Sequence, residues 1–217
     1  MVVHIDAYKI AYMPLPKAAC TSVKAGLALV DPAIDTSLET IAQNPDIVHG
    51  YYRTRRFRPH RWQAYEGWWR FAVVRDPLKR LLSAYTDRVV KRRDLYKSPK
   101  LRRQDATLPR DPDPDFFFRH LPEYRQAASV IKHHVLPAHL FIGLKPHRYD
   151  RVYKIEEMGE LARDLAERIG QDVNLPRFNE SSDKLDYADL QPDTQSCIRE
   201  FLNEDYEQLD AYYPRPW

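Results

Sequence analysis

The sequence predicts an α/β protein: a three-layer α/β/α sandwich around a central parallel sheet, formed as a single domain over residues 1–217. Three observations point there. Strand-like segments alternate with helix-like stripes, the order that parallel strands and crossover helices require. Two strands run straight into helices through short junctions, Pro16-Lys17-Ala18-Ala19-Cys20-Thr21-Ser22 and Val73-Val74-Arg75-Asp76-Pro77. A chain of 217 residues can bury one sizeable core, and no repeat, low-complexity tract or internal boundary interrupts it.

Taken in order, Lys9–Leu15 reads as the first strand and Thr21–Leu29 as the first helix. Thr21 or Ser22 can cap that helix, and Val23 and Leu27 share a face. Asp31–Pro45 is turn-like, with a short helix at Ser37–Ala42. Asp46–His49 is a short strand ending at Gly50, and Arg53–Arg61 is a surface loop. Trp69–Val74 is aromatic, β-branched and largely apolar, as a buried parallel strand should be. Asp76 caps the next helix and Pro77 takes its first position; Leu78, Leu81, Leu82, Tyr85 and Val89 form its apolar stripe. Ser98–Asp115, rich in proline and charge, is a long loop of the kind that covers sites. Phe116–His120 and Glu123–Lys132 read as helices, Leu140–Gly143 as a short strand and Tyr149–Ile155 as a further strand. That strand feeds a helix with Met158, Leu161, Leu165 and Ile169 on its buried face and Gly170 just past its end. The last helix, Asp193–Leu209, turns Ile198, Phe201, Leu202 and Leu209 inward.

The net charge is only +3, but its distribution is uneven. Arg53, Arg55, Arg56, Arg58 and Arg61 crowd one segment, and a second basic cluster spans Arg88–Arg110. Such patches suit an acidic ligand: a phosphate, an acidic sugar, a nucleic acid or a membrane surface. Two cysteines, Cys20 and Cys197, make no disulfide framework, which favours a reducing compartment. No apolar run reaches the roughly 20 residues of a membrane span. Residues 1–6 lack a basic region leading into an apolar one, so no signal peptide is expected and the cytoplasm is the expected location.

The two junctions carry the chemistry. A strand, a loop of small residues and a helix aim backbone N–H groups and a positive helix end at one point, where an anion binds. Arg75 places a fixed cation at the second junction. Two anion sites at successive strand ends suit a nucleotide with phosphates at both ends. The first loop departs from the phosphate-binding form in which lysine directly precedes a helical Ser or Thr. Here Lys17 stands four residues before Thr21 and the loop has no glycine. An early lysine suits a bridging oxygen on a leaving group. No acidic residue is evidently placed for Mg²⁺, which weighs against metal-dependent phosphoryl transfer.

Pro16–Ser22 resembles the 5′-phosphosulfate loop of sulfotransferases, and Arg75-Asp76-Pro77 with Arg80, Ser83, Ala84 and Tyr85 resembles their 3′-phosphate motif. His133-His134 with Pro137, Tyr149-Asp150 leading to Ile155-Glu156, and Asn179-Glu180-Ser181-Ser182 extend the likeness over Lys9 to about Tyr213. The nearest branch is the carbohydrate sulfotransferases, sulfotransferase family 2-like, in a soluble bacterial-type form. The resemblance implies a P-loop NTPase-like sulfotransferase fold. It also implies a donor, 3′-phosphoadenosine-5′-phosphosulfate (PAPS), with no metal. By the family pattern Lys17, Ala18, Ala19, Cys20, Thr21 and Ser22 hold the 5′ side, Arg75 and Ser83 the 3′-phosphate, and Asn179, Ser181, Ser182 and Lys184 a late loop over the nucleotide. Many relatives carry glycine where Ala19 stands; an ordinary helical or β conformation is expected at this alanine.

Sulfuryl transfer needs an in-line nucleophile, charge stabilisation at the leaving oxygen and a base. Lys17 supplies the second. His49-Gly50 resembles the His-Gly of heparan sulfate 2-O-sulfotransferases, which makes His49 the first candidate base and His60 the second; the further histidine of that motif is Tyr51 here. Arg53, Arg55, Arg56 and Arg58 suit bidentate pairing with an acidic glycan acceptor, and Trp62, Trp68 and Trp69 can stack on sugar rings, with core packing the better role for Trp69. Competing assignments are a P-loop kinase and a non-catalytic protein binding acidic glycans or nucleic acid. No zinc pattern or nucleic-acid signature supports a nucleic-acid partner. Association with a membrane surface stays open.

Overall fold

The computed structural model describes residues 2–103, 107–178 and 185–217. In chain order the elements are β1 (Val3–Ile5), β2 (Ile10–Met13), α1 (Cys20–Val30), α2 (Leu38–Gln43), α3 (Val48–Tyr51), α4 (Pro59–Gln63), β3 (Trp69–Val74) and α5 (Pro77–Ala84). Then come α6 (Pro114–Arg119), α7 (Leu121–Ala127), α8 (Ser129–Val135), α9 (His139–Ile142), β4 (Arg151–Lys154), α10 (Met158–Ile169) and α11 (Pro192–Gln208). Contacts divide the chain into two compact units, Met1–Arg75 with Ala138–Glu180 and Asp76–Pro137 with Ser181–Trp217.

The first unit holds a four-stranded sheet in the order β1-β2-β3-β4. β2, β3 and β4 are parallel, as expected for βα alternation; β1 is antiparallel to β2, so the sheet is mostly rather than wholly parallel. Ile10, Ala11, Tyr12, Phe71, Ala72, Val73 and Val74 are all buried, which accounts for the near-continuous apolar runs in β2 and β3. Ile10, Tyr12, Phe71, Val73 and Tyr153 join Val23 and Leu27 of α1 and Leu161 and Leu165 of α10 in one core. Gly26 permits close packing on α1: a Cβ there would collide with the Leu175 side chain and stand 2.8 Å from the Asn174 carbonyl oxygen.

Several local expectations change: Pro59 opens α4 within the expected Arg53–Arg61 loop, extended Ala128 breaks the expected Glu123–Lys132 helix into α7 and α8, and α1 is capped by Ala19 rather than by Thr21 or Ser22. Asp46–His49 is not a strand: Pro45 opens a 3₁₀ turn, Pro45–Ile47, and α3 follows, with Val48 buried. Leu140–Gly143 is also helical, within α9, and Gly143 leaves it at φ 78° against the Phe57 ring. Ala19 is left-handed, at φ 52°, and Lys17 at φ 67°. Two such residues one apart turn the chain sharply from β2 into α1. That tight reversal is why this position favours glycine, and alanine bears the strain.

The second unit is helical. Asp76 caps α5, accepting from the Lys79 N–H at 2.8 Å, and Pro77 fills its first position. A π-helical stretch, Tyr85–Lys91, continues α5. Tyr206 on α11 accepts from the Leu78 N–H and donates to Asp76, pinning the start of α5. Arg80 and Asp205, 1% and 3% exposed, pair at 2.6 Å, and the same guanidinium reaches the Leu136 carbonyl at 2.9 Å.

Two stability measurements check this description. Ala19→Gly relieves the left-handed strain and raises Tm by about 2–4 °C in thermal denaturation, whereas Ala19→Val lowers it. Asp205→Ala strands a buried guanidinium and costs about 3–5 kcal/mol in denaturant unfolding. A loss under about 1 kcal/mol would show that Arg80 gains other partners.

Candidate functional site

The register of β2 on β3 pairs Met13 with Ala72, so both strands end at the same edge of the sheet. The loop from Pro14 to Ala19 leaves there, and Arg75 stands one residue past the end of β3. The Arg75 guanidinium donates to the Lys17 carbonyl oxygen at 3.1 Å. The two cationic junctions singled out in the sequence therefore touch. Leu15 and Ala18 are fully buried and anchor the loop, while Lys17 and Arg75 are half-buried. Within the loop Ala18 N–H donates to the Leu15 carbonyl, and α1 starts with Val23 N–H on the Ala19 carbonyl. Ala19 caps α1 without a side-chain bond, so the N–H groups of Cys20, Thr21 and Ser22 have no partner within the helix. The local field at that point is positive.

His49 lies against the same helix. α3 holds its Nε2 3.1 Å from Thr21 Oγ1 and its Nδ1 3.0 Å from Lys24 Nζ. Lys24 also donates to Thr54 Oγ1 at 2.7 Å. Burial pushes the Lys24 ammonium down to about 8, with the Cys20 thiol acting in the opposite sense. Lys24 and Thr54 were not singled out from the sequence. The available signal was a lone charge inside the otherwise apolar stretch Val23–Val30.

The arginine-rich segment divides. Arg55, Arg56, Arg58 and Arg61 line a small cavity with Met13 and Pro14, the residues just before the Lys17 loop. Arg53 instead lines a separate cavity of about 490 Å³ with His4, Asp6, Asp31 and Tyr52. His60 is exposed on α4. Trp62 packs edge-on against Tyr149, with the Arg70 guanidinium 4.1 Å from its ring centre. Trp68 packs with Tyr65 and His4, and Trp69 stacks on Phe71 in the core. Ser83 sits half-buried on α5 in the second unit. Asn179, Ser181, Ser182 and Lys184 lie outside the described residues. Among the described residues no group of three or more His, Cys, Asp or Glu is arranged to hold a metal ion, and no helix is long and apolar enough to cross a membrane.

Comparison with curated proteins and with solved structures gave no match. A family profile described as the Sulfotransferase family matches residues 2–213, spanning both units. With that match over nearly the whole chain, and with the two motif-bearing strand ends joined by the Arg75–Lys17 bond, the chain belongs to the sulfotransferase family, enzymes that use PAPS.

Proposed function

We propose that this enzyme transfers the sulfuryl group of PAPS to a hydroxyl of a carbohydrate acceptor, with acidic glycans as the preferred class. The observation that carries it is the adjacency of Lys17 and Arg75 at the ends of two paired parallel strands. One loop then takes the 5′ end of the donor and the neighbouring junction takes its 3′-phosphate. The α1 N–H groups and Thr21 surround the 5′ end, and the Lys17 ammonium stabilises charge on the bridging oxygen as it leaves. Ser83 keeps its 3′-phosphate assignment, and Ser181, Ser182 and Lys184 theirs over the nucleotide, on the motif alone. We take both units as one sulfotransferase domain of three-layer P-loop-like type, because the family match runs across both. No step requires a metal. The two free cysteines fit a cytoplasmic setting.

The step balances simply. The acceptor oxygen attacks sulfur, the bond from sulfur to the 5′-phosphate oxygen breaks, and the hydroxyl proton passes to a base. The products are a sulfate ester and 3′-phosphoadenosine-5′-phosphate. A base needs an available lone pair. Both His49 ring nitrogens are within hydrogen-bonding distance of Thr21 or Lys24, which favours His60 for the acceptor proton. Arg55, Arg56 and Arg58 flank the loop where the acceptor must approach.

Calorimetry with 3′-phosphoadenosine-5′-phosphate tests the donor site. Lys17→Ala and Arg75→Ala should each weaken binding by about tenfold or more, the worth of a charge-assisted hydrogen bond. Unchanged affinity in both variants would remove the donor assignment. With uronic-acid oligosaccharides as acceptors, the Arg55→Ala/Arg56→Ala double variant should raise acceptor KM about tenfold and leave donor KM within about twofold. An equal rise in donor KM would assign these arginines to the nucleotide.

A further inference from the structure

Lys24 has no part in the reaction just outlined, yet it is a buried charged group that shares His49 with Thr21. It is 0% exposed, inside the apolar body of α1. Its Nζ spans two neighbours on other segments, His49 Nδ1 at 3.0 Å and Thr54 Oγ1 at 2.7 Å. An ammonium only donates, so Nδ1 accepts from it. A neutral imidazole that accepts at Nδ1 carries its proton on Nε2. That N–H faces Thr21 Oγ1 at 3.1 Å. With the hydroxyl oxygen accepting from the ring, the Thr21 O–H proton is left to donate elsewhere, at the first turn of α1.

We propose that Lys24 is a positioning residue for His49, holding it as the Nε2–H tautomer so that His49 donates to Thr21 and the Thr21 hydroxyl donates to the anion bound at the start of α1. The structural half stands on the Lys24–His49–Thr21 geometry; the identity of the anion rests on the PAPS assignment above. Lys24 thus acts through His49 and Thr21 on the 5′ end of the nucleotide.

Loss of the Lys24 proton reverses the chain. The neutral amine accepts from Nδ1–H, Nε2 accepts from the Thr21 O–H, and one proton goes to solvent. Burial brings this change to about pH 8. Below it Lys24 is charged and the Nε2–H form is held; above it that form is lost. Titratable and charged groups on α1 and the elements packed around it are Cys20 on α1 itself, Tyr12 on β2, Asp31 at the end of α1, Glu39 on α2, Asp46 in the 3₁₀ turn, His49 and Tyr51 on α3, and Tyr52, Arg53 and Arg55 on the segment that carries Thr54. Besides burial, Cys20 is the group that shifts Lys24, and it raises it.

The tautomer is read directly by two-bond ¹H–¹⁵N spectra of histidine-labelled protein, with His49→Gln identifying the signals. Wild type should show Nε2–H at pH 7 and pass to Nδ1–H as pH rises through about 8. Lys24→Met, which removes a buried charge at similar volume, should show no such passage. Nδ1–H in the wild type at pH 7, or identical behaviour in Lys24→Met, overturns the proposal; the wild-type titration alone decides the first of these. Calorimetry with 3′-phosphoadenosine-5′-phosphate reads the consequence. Wild-type affinity should fall about three- to tenfold between pH 7.5 and 9, the worth of one hydrogen bond, and the fall should be absent in Lys24→Met. An equal fall in both overturns the link from Lys24 to the anion. No binding at any pH overturns the donor assignment instead, while the spectra still decide Lys24.

Discussion

The parallel pairing of β2 with β3 is the constraint on which the site depends. Parallel strands send both their carboxyl-terminal loops off the same sheet edge, so two cationic junctions far apart in sequence meet without any side chain having to find its partner. The Arg75–Lys17 bond then fixes their spacing through a backbone carbonyl rather than through the lysine ammonium. That choice matters chemically. Arg75 supports the loop through the loop's backbone, not through the lysine side chain. The first loop accordingly demands small residues and an unusual backbone more than any one side chain, which is how Ala18 and Ala19 can stand there at the cost of local strain.

α1 answers two demands at once. Its first turn leaves N–H groups without partners in the helix, as an anion site needs, while Val23, Ala25, Leu27 and Ala28 fill the core beside the sheet. Lys24 fits neither demand in isolation. An ammonium taken out of water costs several kcal/mol unless it is well paired, and its two neighbours, an imidazole and a hydroxyl, carry no formal negative charge. Packing alone would be served by methionine. The depressed lysine records that unfavourable burial, and its hydrogen bond to His49 is the feature that gives the burial a chemical consequence.

The sequence is most legible where periodicity and punctuation agree. Trp69–Val74 is a strand at both predicted ends because every residue in it is apolar or aromatic except Arg70, and the α10 stripe stops where Gly170 takes up φ 78°. Apolar runs of two or three residues are less decisive. Ile47-Val48 and Leu140-Phe141-Ile142 satisfy strand and helix alike, and both fold as short helices. β1 is only three residues long and pairs antiparallel at the edge, so neither length nor a connecting helix announces it. Of the site, the Lys17 loop and Arg75 were visible as motifs. His49 was visible only as a histidine before glycine, and it reaches Thr21 from a helix rather than from a strand end. The Lys24 contact was invisible because it requires α3 to be folded against α1.

The split of the arginine segment has an electrostatic logic of its own. In the proposed reaction donor and acidic acceptor are both anions, and they must come within reacting distance. Two unit charges about 6 Å apart repel by roughly 3 kcal/mol at an effective dielectric of about 20. On the proposed reading Lys17 and Arg75 serve the donor, so further cations are needed on the acceptor's side. Arg55, Arg56, Arg58 and Arg61 meet that need because they lie beside Met13 and Pro14, directly upstream of the loop. Arg53 does not, since it lines the other cavity, with Asp6 and Asp31. On the proposed reading, selectivity for acidic acceptors would belong to Arg55, Arg56, Arg58 and Arg61 rather than to all five arginines of the segment, and it would follow from where the chain turns after Tyr52, not from how many positive charges the segment holds.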